Sequence, residues 1–235
     1  MSNKAIIIIT GSSGYIGGAL TEKLSKEFKV VGLDRGIPDK KIPGVDYYAV
    51  DFSSFECLQK TLKEIYQKFG SKIKSVIHLV AYYSFSGEES DLYEKITVQG
   101  SGNFLKTLNQ FFEVKQFIFS STMLVHEPGL AGKETNENSP VKPSWPYPKS
   151  KVEAEKIIES ERGKVKTVNL RIAGIYDDYG HSVPLGNHIM RIYEQHFSSL
   201  LFPGNYHNRQ SYLHLEDLLE AIELLIKKDM TLPDS

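Results

Sequence analysis

Of 235 residues only one is a cysteine, Cys57. A lone thiol forms no internal disulfide, which excludes a disulfide-stapled fold and fits a reducing, cytoplasmic setting. It lies in FECLQKTLKEIYQKF, whose apolar spacing predicts an ordinary helix rather than a reactive site. Net charge is also lacking: 28 Lys and Arg against 29 Asp and Glu leave a formal −1. No field of one sign is therefore available to attract nucleic acid or an anionic membrane. No apolar run approaches the roughly 20 residues of a membrane span. The longest, Ala5 to Ile9, directly follows MSNK and has no small-residue cleavage site of the secretory kind. The seven histidines include no H-E-x-x-H and no paired Cys/His spacing, so no metal is expected. Internal repeats and low-complexity tracts are absent.

What is present is an alternation. Residues 4–10 (KAIIIIT) form a β-branched run of the sort buried on both faces of a sheet. Further strands are predicted at 29–34, 46–51, 73–79, 116–121 and 166–174. Helices are predicted after the first glycine turn and at 55–69, 91–112 and 147–162. Strands alternating with helices imply parallel βαβ units: an α/β, doubly wound parallel sheet over residues 1–176. From about residue 177 the pattern turns to loops with helices near 186–197 and 215–228. Residues 177–235 thus read as a small, incomplete substrate lobe packed on the first domain, ending at KKDMTLPDS where another strand is expected. The long loop 123–146 is of the length that usually carries function.

Two motifs carry chemistry. TGSSGYIGG sets Gly11, Gly14 and Gly17 between the first strand and its helix, a variant of the dinucleotide fingerprint. Glycine there permits the tight turn, close approach to a pyrophosphate and helix–strand contact, with phosphates at the positive helix end. Asp34 ends the second strand about where a carboxylate accepts the adenosine ribose hydroxyls. Its charge favours NAD over NADP, although the adjacent Arg35 could pair with a 2′-phosphate. Asp51, ending the third strand, reads either as a ligand of the adenine amino group or as a turn residue.

The second motif is SWPYPKSKVEAE. Tyr147 and Lys151 are four residues apart and share one helix face. Pro146 and Pro148 are tolerated in a first turn, whose N–H groups have no intrahelical acceptor, and they stiffen the entry. A free phenol with a pKa near ~10 is a poor base. A nearby ammonium is expected to lower that value toward useful proton transfer. Ser120, Ser121 and Thr122 lie at the carboxyl end of the fifth strand, where open α/β sheets bind ligands.

TGSSGYIG, Asp34, VDFS, VIHLVA, FIFSST, YPKSK and LRIAGIY follow one another in order. In this the chain resembles the extended short-chain dehydrogenase/reductases, the NAD-dependent epimerase/dehydratase superfamily, over roughly residues 5–226. The resemblance implies a Rossmann-type fold with Tyr147 as catalytic acid/base, Lys151 supporting it and the nicotinamide ribose, and Thr122 assisting. It arranges Ser13, Tyr15, Ile16, Phe52, Leu79, Val80, Ala81, Thr97, Ser120, Ile172, Ala173 and Ile175 around the cofactor. It also implies a homodimer paired through the 91–112 and 147–162 helices.

Several positions depart from the family pattern. Thr97 stands for the usual asparagine, His126 for the tyrosine of VYG, and Ile172 for a proline. Gln210 stands where nucleotide-sugar epimerases carry a phosphate-holding arginine, with Arg209 one residue out of register. That puts a nucleotide-sugar substrate in doubt. Tyr82, Tyr83, His126 and Gln210 are the expected substrate-pocket lining. The leading expectation is an NAD-dependent enzyme moving hydride between nicotinamide and the hydroxyl or carbonyl of a sugar, sterol-like compound or other alcohol. The alternative is a nucleotide-binding module without catalysis.

Overall fold

Ile7, Ile8 and Ile9 are completely buried in β1 (Ile6–Thr10), with alternate residues feeding cores on opposite faces of the sheet. The computed structural model describes residues 4–84, 87–127, 134–195, 197 and 210–228. Around β1 assemble β2 (Lys29–Asp34), β3 (Asp46–Ala49), β4 (Lys72–His78), β5 (Glu113–Thr122) and β6 (Lys166–Ile172). They form one six-stranded sheet in the order β3-β2-β1-β4-β5-β6, and every pairing is parallel. The order reverses beside β1, which opens a crevice at the carboxyl ends of β1 and β4.

One face is covered by α2 (Phe55–Phe69), α3 (Gly100–Phe111) and α4 (Pro146–Glu161), which bury Leu58, Leu62, Phe104, Leu105, Ala154 and Ile158 against it. The other face is covered by α1 (Tyr15–Ser25) and α6 (Leu215–Lys228), through Leu20, Leu24, Leu218, Leu219, Ile222 and Ile226. The helix at 215–228, grouped with the small lobe in the sequence reading, therefore belongs to the outer layer of the main sheet. β7 (Gly174–Tyr176) and β8 (Tyr212–His214) form a short parallel pair beyond β6, and α5 (Val183–Tyr193) lies between them in the chain.

The helix expected at 91–112 is interrupted. Tyr93–Gln99 winds as a π-helix before the α-helical turns of α3 begin. Such a wide turn costs regular hydrogen bonding and tends to occur where a side chain must be re-aimed toward a site. Here it delivers Tyr93, Thr97 and Val98 to the buried side. Tyr176 and Tyr212 meet edge to face, and Tyr176 also packs at 5.1 Å on His214.

Candidate active site

The turn after β1 is shaped by backbone crowding. Gly11 takes φ +72°, and a Cβ on Gly17 would lie 1.9 Å from the Gly11 carbonyl oxygen, so no larger residue fits. Gly14 caps α1 without a side-chain hydrogen bond. The first-turn N–H groups of Tyr15, Ile16 and Gly17 thus stand at the positive end of the helix without intrahelical acceptors. Asp34 ties this turn to β2, accepting from the Ser13 amide at 2.8 Å and from its neighbour Arg35 at 2.7 Å. Ser13 Oγ in turn donates to the Gly36 carbonyl at 3.1 Å. Asp51 is engaged in its own turn, with Oδ1 accepting from the amide and hydroxyl of Ser53 at 2.9 and 2.6 Å. The Arg35 charge reaches it as well. These residues fit a dinucleotide: a bare, glycine-floored helix end for the diphosphate and a carboxylate at the end of β2 for a ribose.

Beneath the turn runs a buried polar chain. Thr10 Oγ1 accepts from the amides of Leu79 and Val80 at 3.1 and 3.3 Å and pairs with His78 Nδ1 at 2.7 Å. His78 Nε2 meets Ser101 Oγ at 2.9 Å, and that hydroxyl donates to the Thr97 carbonyl at 2.5 Å. Ser101 spends its proton on Thr97, so Nε2–H must donate to it, and Nδ1 must accept from Thr10. The imidazole is neutral: burial, then the charge of Lys151, brings its pKa down to about 3. Thr97 Oγ1 accepts the amide of Tyr82 at 2.9 Å, the contact that holds the chain after β4 near the π-helix. Phe52 packs its ring at 5.6 Å on His78 and 5.3 Å on Phe104, behind the crevice. Leu79, Val80 and Ala81 continue from β4 past the glycine turn, with the Leu79 side chain against Gly11. Ile172, Ala173 and Ile175 occupy the exit of β6 and the start of β7 on the far side.

The second motif converges on the carboxyl end of β5. Tyr147 is the second residue of α4 after Trp145 as N-cap, and Lys151 follows one turn later. Lys151 is buried, and its Nζ donates to the Ser120 carbonyl at 2.6 Å. The same Nζ lies 4.7 Å from the centroid of the Phe119 ring. Thr122 is buried with its Oγ1 accepting the Leu124 amide at 3.3 Å, and it sits level with Ile172 on β6. Burial draws the Lys151 pKa down to about 7, opposed by the charge of Glu155. Tyr147 goes the opposite way from the sequence expectation: burial, then the phenols of Tyr83 and Tyr93, push it above the usual tyrosine value. The Lys151 amine gives a hydrogen bond to a backbone oxygen rather than to the phenol. Tyr83 and Trp145 bring their ring centroids within 4.7 and 5.5 Å of the Tyr147 ring. Tyr82 packs at 4.8 Å on Tyr93, whose buried hydroxyl has no hydrogen-bond partner among the described residues.

A charged network behind this end was not foreseen. Glu155, one turn beyond Lys151, accepts from Ser121 Oγ and binds Arg171 through both oxygens, at 3.2 and 2.8 Å. Arg171 Nη1 approaches His126 Nε2 at 3.3 Å, and His126 Nδ1 meets the Ser139 carbonyl at 3.0 Å. Both nitrogens of His126 are thus engaged in holding the long loop, which pairs His126 with Val141. The available signal was an arginine inside the otherwise apolar strand VNLRIAG. Gln210 is exposed and accepts the Tyr212 hydroxyl at 3.1 Å, while Arg209 lies outside the described residues. Among the described residues no group of side chains could hold a metal, and no helix is long and apolar enough to cross a membrane.

The chain is similar to several known proteins. It is 25% identical to a dTDP-D-glucose 4,6-dehydratase of Dictyostelium discoideum, over 94% of its own length and 55% of that protein's. It is 26% identical to the human short-chain dehydrogenase/reductase family 42E member 1, over 94% of its length and 58% of that protein's. The chain therefore spans little more than half of these curated relatives. Its fold superposes on the UDP-glucose 4-epimerase of Thermus thermophilus, solved with NAD, at a TM-score of 0.75 and 24% identity, covering 94% of this chain and 74% of that one. The family described as the NAD dependent epimerase/dehydratase family matches residues 7–234, a span that takes in the glycine turn, the buried polar chain and the tyrosine–lysine helix alike. With motif, sheet order and family match in agreement, the chain belongs to the NAD-dependent epimerase/dehydratase family.

Proposed function

We propose that this chain binds NAD across the carboxyl edge of its sheet and exchanges hydride with a hydroxyl-bearing carbon of a small molecule. What supports the reading is that Lys151, one turn after Tyr147 on α4, reaches the Ser120 carbonyl of β5, the strand that ends at Thr122, while the glycine-floored end of α1 follows β1, two strands away in the same sheet. The first-turn amides of α1 would hold the diphosphate and Asp34 the adenosine ribose. Bound NAD supplies the site that accepts or returns the hydride.

The chain's own groups handle the proton. Tyr147 stands as the acid/base, exchanging its phenolic proton with the substrate oxygen. Thr122 would steady that oxygen through its hydroxyl. Lys151, with a pKa near neutrality, can take up a proton; as ammonium it would favour phenolate on the adjacent ring. Tyr83 and Trp145 offer aromatic faces beside Tyr147, suited to a ring-bearing alcohol such as a sugar or sterol.

The test begins with purified protein titrated with NAD, then a screen of sugars, sterols and simple alcohols for reduced nicotinamide or for an isomerised product. Tyr147→Phe is expected to lower turnover by roughly 10²- to 10⁴-fold while leaving NAD affinity within about two-fold. Unchanged turnover in that variant would remove Tyr147 from the mechanism. NAD binding by the wild type with no turnover of any compound would favour the non-catalytic module.

A further inference from the structure

The segment leaving β7 folds back over the amino end of α1, and Asp177 is its pivot. Asp177 Oδ1 accepts from the amides of Tyr179 and His181 at 3.1 Å each. Its Oδ2 accepts from His181 Nδ1 at 2.6 Å, and the Tyr15 hydroxyl donates to the same carboxylate. Against the desolvation of this setting, the hydrogen bonds from His181 and Tyr15 hold the Asp177 carboxyl well below the usual range. Desolvation, then the hydrogen bond and charge of Asp177, correspondingly raises the Tyr15 phenol.

Tyr15 is the first residue of α1, and its amide belongs to the bare helix end described above. The His181 ring lies 5.4 Å from the Tyr15 ring, tilted by 52°. The Asp177 side chain is 9% exposed and that of His181 59%, so the carboxylate is sequestered and the imidazole is open to solvent beside the first residue of α1. With Nδ1–H committed to Asp177, the tautomer and ring orientation are fixed, and among the described residues none hydrogen-bonds Nε2. Satisfying the turn would need only a carboxylate and two amides. A histidine pinned by that carboxylate beside an anion-binding helix end is an arrangement suited to a ligand.

We propose that His181 is a further anion ligand of the cradle, its imidazolium donating Nε2–H to the diphosphate of the bound dinucleotide. This rests on the reading that NAD lies along the glycine turn. Histidine is the side chain that changes charge between pH 5 and 8, so dinucleotide affinity acquires a pH dependence that the backbone amides cannot supply. The groups facing the ring are the Asp177 carboxylate and the phenols of Tyr15 and, at 6.1 Å, Tyr179. Asp178, next in the chain, is instead turned toward His214, at 3.5 Å. The Tyr15 phenol, raised above its ordinary value, keeps its proton across that window, and Asp177 stays ionised through it.

The experiment is a calorimetric titration of the whole chain with NAD at pH 5.5, 6.5 and 8.0, for the wild type and His181→Gln, with a melt confirming the fold of each. Wild-type affinity is expected to tighten by roughly five- to ten-fold from pH 8.0 to 5.5, the worth of one charge-assisted bond at a partly exposed site. His181→Gln is expected to tighten less toward pH 5.5 than the wild type, keeping only the part that Lys151, with its pKa of about 7, contributes. An unchanged pH response in the variant, or a flat response in the wild type, overturns the role of His181 and leaves the cradle reading intact. No NAD binding by the wild type at any pH overturns both.

Discussion

Lys151 and Tyr147 share a helix face, yet the lysine gives its hydrogen bond to the Ser120 carbonyl at 2.6 Å and lies 5.8 Å from the centroid of the tyrosine ring. The spacing of the motif brings the two groups together, and burial decides their charges. A fully buried amine is costly to keep protonated, and a phenol screened from water by other rings is costly to ionise.

The cost on Lys151 is measurable as stability. Its pKa of about 7 in the folded chain lies well below the ~10.4 of an unfolded lysine. Between these values the unfolded chain binds more protons than the folded one, so this group makes stability rise with pH from about 7 to about 10. Urea melts should show wild type gaining on the order of 2 kcal/mol more than Lys151→Met between pH 7 and 9. The variant should be the more stable at pH 7 while losing turnover. Identical slopes would mean that the amine is solvated.

Gly17 and Gly18 are neighbours with opposite expectations. A Cβ on Gly17 would collide with the Gly11 carbonyl at 1.9 Å, whereas on Gly18 the nearest atom is 3.9 Å away. Gly17→Ala should cost about 3 kcal/mol or more and abolish NAD binding, since backbone must move. Gly18→Ala, within a helix, should stabilise by roughly 0.5–1 kcal/mol. Equal melts for the two variants would contradict the geometry of the turn.

Removing one partner of the Arg171–Glu155 pair leaves a charge with a side chain only 10% exposed. Arg171→Met is expected to cost about 3–5 kcal/mol, and Arg171→Met with Glu155→Met far less than the sum of the single changes. A double-mutant cycle by chemical denaturation measures the coupling, and additive losses would show that the pair is not effectively buried.

Tyr93, on the π-helix and next to Tyr82, carries a buried hydroxyl with no partner among the described residues. Tyr93→Phe removes an unsatisfied polar group without changing shape, so it should stabilise the chain by about 1 kcal/mol in a thermal or urea melt. Destabilisation would reveal a hydrogen bond made by that oxygen.

Much of this architecture was legible because its signals are local. Four consecutive isoleucines after Ala5 can only be a strand covered on both sides, and the glycine spacing after them dictates the turn. The Tyr147–Lys151 face follows from helical periodicity alone. What escaped depends on contacts between distant segments. Tyr93–Gln99 has an ordinary helical pattern, and only its packing makes it a π-helix. β8 is three residues long and exists because Gly174–Tyr176 pairs with it. Asp177 looks like a loop aspartate until Tyr15, far earlier in the chain, is found donating to it. The direction of the Tyr147 shift differs from the sequence expectation because proximity to Lys151 was legible and solvent exclusion was not.

The floor of the crevice has a consequence for proton traffic. From Thr10 through His78 and Ser101 to Thr97, each hydrogen already has its acceptor, so the chain admits a single proton order. It can neither swap tautomers nor store an extra proton near neutrality.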